Sequence, residues 1–262
     1  MVRLNPDATY NCGVTPRFYA PAADAPGGLV YLPEEEAGHL TRVLRLTAGA
    51  PVRVFNGRGG EFEAVVDAVT RGRVRVRLGA ARPVLAGPRV AVTLAQAVLK
   101  GDGMDEVVRD AVMMGAAAVQ PLVAARSEVS LAALARSRRR ARWERIAISA
   151  AKQCGRADVP PILEPRAFAD AVAALGHLTL PGPGLMFVEP AAAGDAQTLG
   201  ELAAAPPRET TIVIGPEGGW EAEELDRAAA VCRLVTLGGR TLRADAMAIV
   251  ALAALFAVWK EY

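Results

Sequence analysis

The stretch Thr211-Ile-Val-Ile-Gly-Pro-Glu-Gly-Gly-Trp220 constrains this chain more than any other. A β-branched apolar run breaks into a loop of three glycines, a proline and a glutamate. The acidic segment Glu221-Ala-Glu-Glu-Leu-Asp-Arg227 follows at once. A buried strand therefore ends, a tight loop exposes its backbone, and a helix begins. In an open α/β sheet a ligand sits just beyond the carboxyl end of such a strand. Glu217 in the loop and Glu221, Glu223 and Glu224 in the first helical turn suit the helix dipole and repel a phosphate. Neither a G-x-x-x-x-G-K-[ST] nor a G-x-G-x-x-G pattern occurs at this position. The loop favours a phosphate-free ligand recognised by backbone groups, with a plain tight turn as the other reading of the same residues.

Composition narrows the class. Hydrophobic residues make up 52% of 262, which excludes a disordered chain and allows a sizeable core in one or two domains. The longest apolar segment, Ala244–Val258, is interrupted by Asp245 and is too short to cross a bilayer. The first residues, Met-Val-Arg-Leu-Asn-Pro-Asp, lack a signal-peptide core. Cys12, Cys154 and Cys232 are far apart, and His39 and His177 are the only histidines, so no metal site is expected. The expectation is a reduced cytoplasmic protein with no membrane partner. Net charge is +2, but residues 1–90 carry twelve arginines against eight carboxylates, and residues 126–156 carry nine cations against Glu128 and Glu144. Two basic regions on a nearly neutral chain point to a polyanion such as RNA, against the alternative of a solvated helix face.

Two textures follow one another. Val52-Arg-Val-Phe55 and Glu61-Phe-Glu-Ala-Val-Val66 flank Asn56-Gly-Arg-Gly-Gly60, the pattern of a hairpin. In Arg71-Gly-Arg-Val-Arg-Val-Arg-Leu78, strand alternation puts Arg71, Arg73, Arg75 and Arg77 in one cationic row and Val74, Val76 and Leu78 toward a core. That row suits phosphate contact or the protection of an edge strand. Residues 33–45 read as one short helix with Leu40, Val43 and Leu44 on its apolar face. A linker-like 81–89 precedes alternating strands (90–95, 118–123, 185–188, 211–214, 234–237) and helices (104–114, 137–154, 221–232, 244–258), which predicts a mainly parallel sheet.

A second strand-to-helix loop, Leu237-Gly-Gly-Arg-Thr-Leu-Arg243, carries Arg240 and Arg243 and leads to Asp245. Lys100-Gly-Asp-Gly-Met104 opens a helix in the same manner, and Gln153-Cys-Gly-Arg156 ends one. Taken in order with Leu94-Ala-Gln-Ala, Met113-Met-Gly115, Arg126-Ser, Ala147-x-x-Ala-Ala-Lys-Gln-Cys-Gly-Arg156 and Ile214-Gly-Pro-Glu-Gly-Gly219, these motifs resemble the 16S rRNA (uracil-N3) methyltransferases, the RsmE family of the SPOUT superfamily. Arg17-Phe-Tyr19 and His39-Leu-Thr-Arg-Val-Leu-Arg45 are similar to the RNA-binding domain of that family. The resemblance spans nearly the whole chain from Arg17 on.

The resemblance implies an α/β fold: a SPOUT-type C-terminal domain (84–262) with a deep trefoil knot, an exception to the usual absence of knots, and a small N-terminal PUA-like β-barrel (1–83, with 1–16 unplaced). It implies S-adenosylmethionine as methyl donor, held by Ile214, Gly215, Pro216, Glu217, Gly218, Gly219, Leu237, Gly238 and Leu242. It implies a homodimer, a 16S rRNA substrate in the small ribosomal subunit, and N3-methyluridine as product. Arg17, Arg42, Arg45, Arg73, Arg75, Lys100, Arg126 and Arg156 are the expected RNA contacts, with Arg126 and Arg156 also placed for a partner-subunit site. Arg243 is expected to stabilise charge on the uracil, and Asp245 is the nearest candidate base. The family usually carries Thr-Glu-Thr-Ala after Leu-Arg, whereas this chain has Ala244-Asp-Ala-Met-Ala248; both hydroxyls are lost. A non-catalytic rRNA-binding protein and a ribose 2′-O-methyltransferase are the competing readings.

Overall fold

The computed structural model describes residues 15–177, 184–192, 194, 196–203 and 206–261, so the unplaced extension lies outside the described residues except for its last two. The chain divides into two units. The first comprises the described residues up to Leu85 together with Gly155–Asp158; the second comprises Ala86–Cys154 and the residues from Val159 on.

The first unit contains β1 (Arg17–Tyr19), β2 (Leu29–Tyr31), α1 (Glu34–Gly38), β3 (Pro51–Phe55), β4 (Glu61–Thr70) and β5 (Arg73–Ala81). They form one sheet in the order β1-β3-β4-β5-β2, and only the β1–β3 pair is parallel. The predicted hairpin is β3–β4, with Val54 opposite Phe62. Asn56 makes the turn by accepting the Arg58 and Gly60 N–H groups at 2.8 and 2.9 Å. Val52, Val54, Phe62, Val66, Val74, Val76 and Leu78 fill the core, as strand alternation requires.

Three readings change here. Arg71 is not in the strand but in the turn before it, at φ +48°. The helix at 33–45 becomes α1 followed by a wider π turn at His39–Val43, which leaves Val43 67% exposed instead of on an apolar face. The third concerns Arg17. It is buried; its Nη2 lies 2.9 Å from Glu61 Oε2 and donates to the Arg156 carbonyl at 2.6 Å, and its guanidinium packs 3.9 Å from the Phe55 ring. A guanidinium enclosed this way binds its own fold, not a phosphate. Arg156 is similarly spent, largely buried against Asp158 at 2.5 Å.

The second unit contains β6 (Ala91–Ala97), α2 (Gly103–Met114), β7 (Ala118–Val123), α3 (Leu131–Arg136), α4 (Arg139–Cys154), β8 (Arg166–Ala167), α5 (Phe168–His177), β9 (Gly184–Phe187), α6 (Leu199–Leu202), β10 (Glu209–Ile214), α7 (Ala222–Ala229), β11 (Cys232–Val235) and α8 (Ala244–Val258). Its six strands are all parallel, in the order β11-β9-β10-β6-β7-β8. The chain leaves β6 toward β7 and β8, then returns to build β9, β10 and β11 on the other side. The β6–β10 junction is therefore a switch point, where such sheets open a crevice at their carboxyl ends. The predicted helix at 137–154 begins only at Arg139, because Ser137 is extended and its hydroxyl bonds the Leu134 carbonyl at 2.7 Å. The helix predicted at 221–232 stops at Ala229, and Cys232 opens β11 as a buried residue. The strand expected at 234–237 is this β11, which ends at Val235. Among the described residues no helix is long and apolar enough to cross a membrane.

Removing one partner of a buried ion pair strands the other charge, at a cost of about 3–5 kcal/mol. Glu61→Ala is expected to lower stability by about 3 kcal/mol in denaturant titrations. Unchanged stability would show that Arg17 is not held as described.

Candidate functional site

The carboxyl ends of β6, β9, β10 and β11 surround a cavity of about 620 Å³ within the second unit. This is a size suited to a small-molecule ligand. Its walls are the loops after these strands and the first turns of α2 and α8.

Specific polar contacts fix the loop after β10. The Gln96 amide, at the end of β6, donates to the Gly215 carbonyl at 3.2 Å. The Glu217 carboxylate accepts the Lys100 backbone N–H at 2.9 Å, which joins the loops after β10 and β6. Trp220 donates its indole N–H to the Phe187 carbonyl at 3.2 Å and packs on Phe168, with ring centroids 4.9 Å apart. A side chain at position 215 would meet the Trp220 ring at 3.0 Å and would need that ring to shift. Glu221 and Glu224 close a capping box at the start of α7, and the Glu224 carboxylate also accepts the Ala125 N–H at 2.9 Å.

Seven of the nine expected ligand residues line the cavity: Ile214, Gly215, Pro216, Glu217, Gly219, Leu237 and Leu242. Gly218 and Gly238 are not among the lining residues. Gly218 packs closely on the Arg126 side chain, and its carbonyl accepts the Arg126 guanidinium at 2.7 Å. Gly238 takes φ +94°, a turn conformation that glycine adopts without strain. Arg126 also pairs with Glu221 at 2.7 Å and is thus a brace for this loop. Lys100 lines the cavity, while its ammonium pairs with Glu128 at 2.5 Å. In the first unit, Arg75 is held by Asp67 at 2.6 Å and Arg73 lies over the Tyr31 ring. Arg42 folds back over Gly38, and Arg45 is exposed at φ +53°.

Five acidic residues (Asp102, Glu106, Glu189, Glu217 and Asp245) and three basic ones (Lys100, Arg240 and Arg243) line the cavity. Asp102 is paired with Arg142 and Asp245 with Arg243, which leaves Glu106, Glu189 and Glu217 as the remaining carboxylates. The balance favours a ligand carrying positive charge and disfavours phosphate. Glu189 was not anticipated. It follows β9, and its carboxylate stands 3.1 Å from where a Gly219 side chain would begin. The signal was available, since Leu185-Met-Phe-Val188 is a third strand running into a loop.

Arg243 precedes α8, with its side chain 86% exposed. Its Nε and Nη2 grip Asp245 Oδ1 and Oδ2 at 3.2 and 2.9 Å. Asp245 lies within the first turn of α8, where it also accepts the Ala246 N–H at 2.9 Å; the N-cap position is Arg243, which makes no side-chain capping bond. Burial pushes the Asp245 carboxyl up, but the Ala246 N–H and the Arg243 guanidinium outweigh it and hold the carboxyl below the ordinary aspartate value.

A family model described as an RNA methyltransferase domain matches residues 87–256, and one described as an RNA methyltransferase PUA domain matches residues 32–79. The ribosomal RNA small subunit methyltransferase E of Synechocystis is 31% identical over 233 residues, covering 87% of this chain and 73% of that protein. The structure of a putative methyltransferase from Legionella pneumophila in complex with its cofactor, S-adenosylmethionine, superposes with a TM-score of 0.83 at 30% identity, over 93% of this chain and 98% of that one. The S-adenosylmethionine-bound ribosomal RNA small subunit methyltransferase E of Neisseria gonorrhoeae gives 0.82 at 30% identity, over 94% and 98%. Fold and site define an α/β RNA methyltransferase with a PUA domain. The chain belongs to the ribosomal RNA small subunit methyltransferase E family.

The Arg243–Asp245 pair is intact above the lowered aspartate pKa and is lost as pH falls through it. NMR titration of the Asp245 carboxyl is expected to give a value below that of an ordinary aspartate, and Arg243→Ala to raise it. A titration unmoved by Arg243→Ala would contradict the pairing.

Proposed function

We propose that this protein transfers the methyl group of S-adenosylmethionine to N3 of a uridine in 16S rRNA of the small ribosomal subunit. One observation carries the reading: a cavity with an acidic balance of charge at the switch point of a parallel sheet, in a chain of an RNA methyltransferase family.

The cavity fits the donor on chemical grounds. S-adenosylmethionine has a sulfonium and no phosphate, and it supplies an activated methyl group when bound. The loop residues Gly215, Pro216, Glu217 and Gly219, with Leu237 and Leu242, offer the backbone that would hold its adenine and ribose. The surplus of carboxylates suits its cationic part.

The chain's residues have two further tasks. N3 of uracil is weakly acidic and becomes a nucleophile as it loses its proton. Arg243, exposed beside the cavity, is placed to stabilise that negative charge. Asp245 orients Arg243 through two contacts. Its lowered proton affinity suits this task better than abstracting a proton near neutral pH, which favours a base of higher pKa. The proton is then released to solvent at the open rim. The target base must be unpaired or flipped to reach the cavity.

The reading extends to the finer architecture. The C-terminal part threads a deep trefoil knot, an arrangement supported by β10 lying between β9 and β6 while the later β11 lies outside β9. The five strands of the first unit form a PUA-like barrel. The protein works in the cytoplasm, with its ribosomal substrate, as a homodimer; the exposed Met113, Leu242 and Val250 offer apolar surface for a second copy.

Incubation with labelled S-adenosylmethionine and small subunits lacking the modification, followed by mass spectrometry of the nucleosides, is expected to yield 3-methyluridine. A 2′-O-methylated nucleoside or no incorporation would overturn the proposal. Arg243→Ala is expected to lower transfer by about a hundredfold while leaving S-adenosylmethionine affinity near that of the wild type. Wild-type turnover in that variant would remove Arg243 from the mechanism.

A further inference from the structure

The outer face of the first unit's sheet has an unusual composition. The core-facing residues Val30, Val74, Val76 and Leu78 are buried as expected. Their neighbours in sequence point the other way. On β2 these are Leu29 and Tyr31, 47% and 49% exposed. On β5 they are Arg73, Arg75 and Arg77, with Tyr31 opposite Arg75 and Leu29 opposite Arg77.

Neither ordinary role for such residues accounts for this face. Arginines protect an edge strand from aggregation, but β5 is interior and the edge strand is β2. Exposed apolar residues on an edge are what natural sheets avoid. Here a tyrosine and a leucine are left on the edge, and three cations stand on the strand beside them. Asp67 pairs with Arg75 and Arg77 at 2.6 and 2.7 Å and is shared between two guanidinium groups, so the face keeps a positive excess. The Arg73 guanidinium lies 4.3 Å from the centre of the Tyr31 ring, covering part of it and fixing its orientation.

A flat ring held by a guanidinium on a cationic sheet is what single-stranded RNA recognition uses: a base stacks on the aromatic side chain while arginines meet the flanking phosphates. A duplex hides its bases in the stack and offers this ring nothing. A second copy of the chain would bring another row of arginines against the first.

We propose that Tyr31 is a stacking platform for an unpaired RNA base, with Arg73 and Arg77 as the adjoining phosphate contacts. This rests on the reading that the chain acts on RNA, but not on which atom it methylates.

The test compares the full-length protein with Tyr31→Ala and Tyr31→Trp. Binding is measured with a fluorescent single-stranded oligouridylate and with a fully paired RNA duplex of the same length. S-adenosylmethionine affinity and thermal unfolding are recorded alongside. Tyr31→Ala is expected to weaken the single strand about tenfold or more, the loss of one base–aromatic stack. Duplex binding, donor affinity and unfolding should hold at wild-type values, and Tyr31→Trp should restore single-strand binding. Wild-type single-strand affinity in Tyr31→Ala, or an equal loss for the duplex, would overturn the proposal, as would failure of Tyr31→Trp to restore binding. Failure of N3 methylation with these binding results intact would count against the proposed reaction and leave the platform standing.

Discussion

The parallel pairing of β10 with β6 is the interaction on which the site depends. It sets Ile214 beside Gln96, residues far apart in sequence, at the carboxyl ends of adjacent strands. From that register Gln96 reaches the Gly215 carbonyl, and Glu217 reaches the Lys100 N–H. The loop after β10 is thereby tied to the loop after β6, and the cavity takes its shape between them. A one-residue slip would turn these side chains to the other face of the sheet. Both the hydrophobic burial of these strands and the opening of the cavity follow from a single register.

What was legible in the chain follows from periodicity. The Thr211–Trp220 stretch carries its strand, its loop and its aversion to phosphate in adjacent residues, and seven of the nine residues named from the two loops face the cavity. The hairpin around Asn56 was equally local. What escaped depended on distant partners. Arg17 looks like any surface arginine until Glu61 and the Arg156 carbonyl close around it. Cys232 continues a helical pattern, yet parallel pairing with Gly184 draws it into a strand. Glu189 follows a strand-to-loop junction that the sequence does show, but only the convergence of four strand ends gives it a place beside the cavity.

Charge was the least transparent property. Two basic regions suggested RNA, but many of their arginines serve the fold. Arg126 braces a loop, Arg140 holds Glu164 and the Ile162 carbonyl, and Arg142 pairs with Asp102 and Asp105 on α2 and its preceding residue. A guanidinium with several internal acceptors is a scaffold element whatever its sequence neighbourhood. Other arginines stay exposed, Arg136, Arg138 and Arg139 among them, and for two the neighbours give a meaning: Arg243 beside a cavity, and Arg73 beside an exposed tyrosine.

The site's function rests on the character of the cavity, which is lined by loop backbone and by more carboxylates than cations. Titration calorimetry of the purified protein, with S-adenosylmethionine and with ATP as separate ligands, tests it directly. One equivalent of S-adenosylmethionine is expected to bind per chain, and no ATP, whose phosphates the carboxylates repel. Binding of ATP in competition with S-adenosylmethionine, or no binding of S-adenosylmethionine at all, would contradict it.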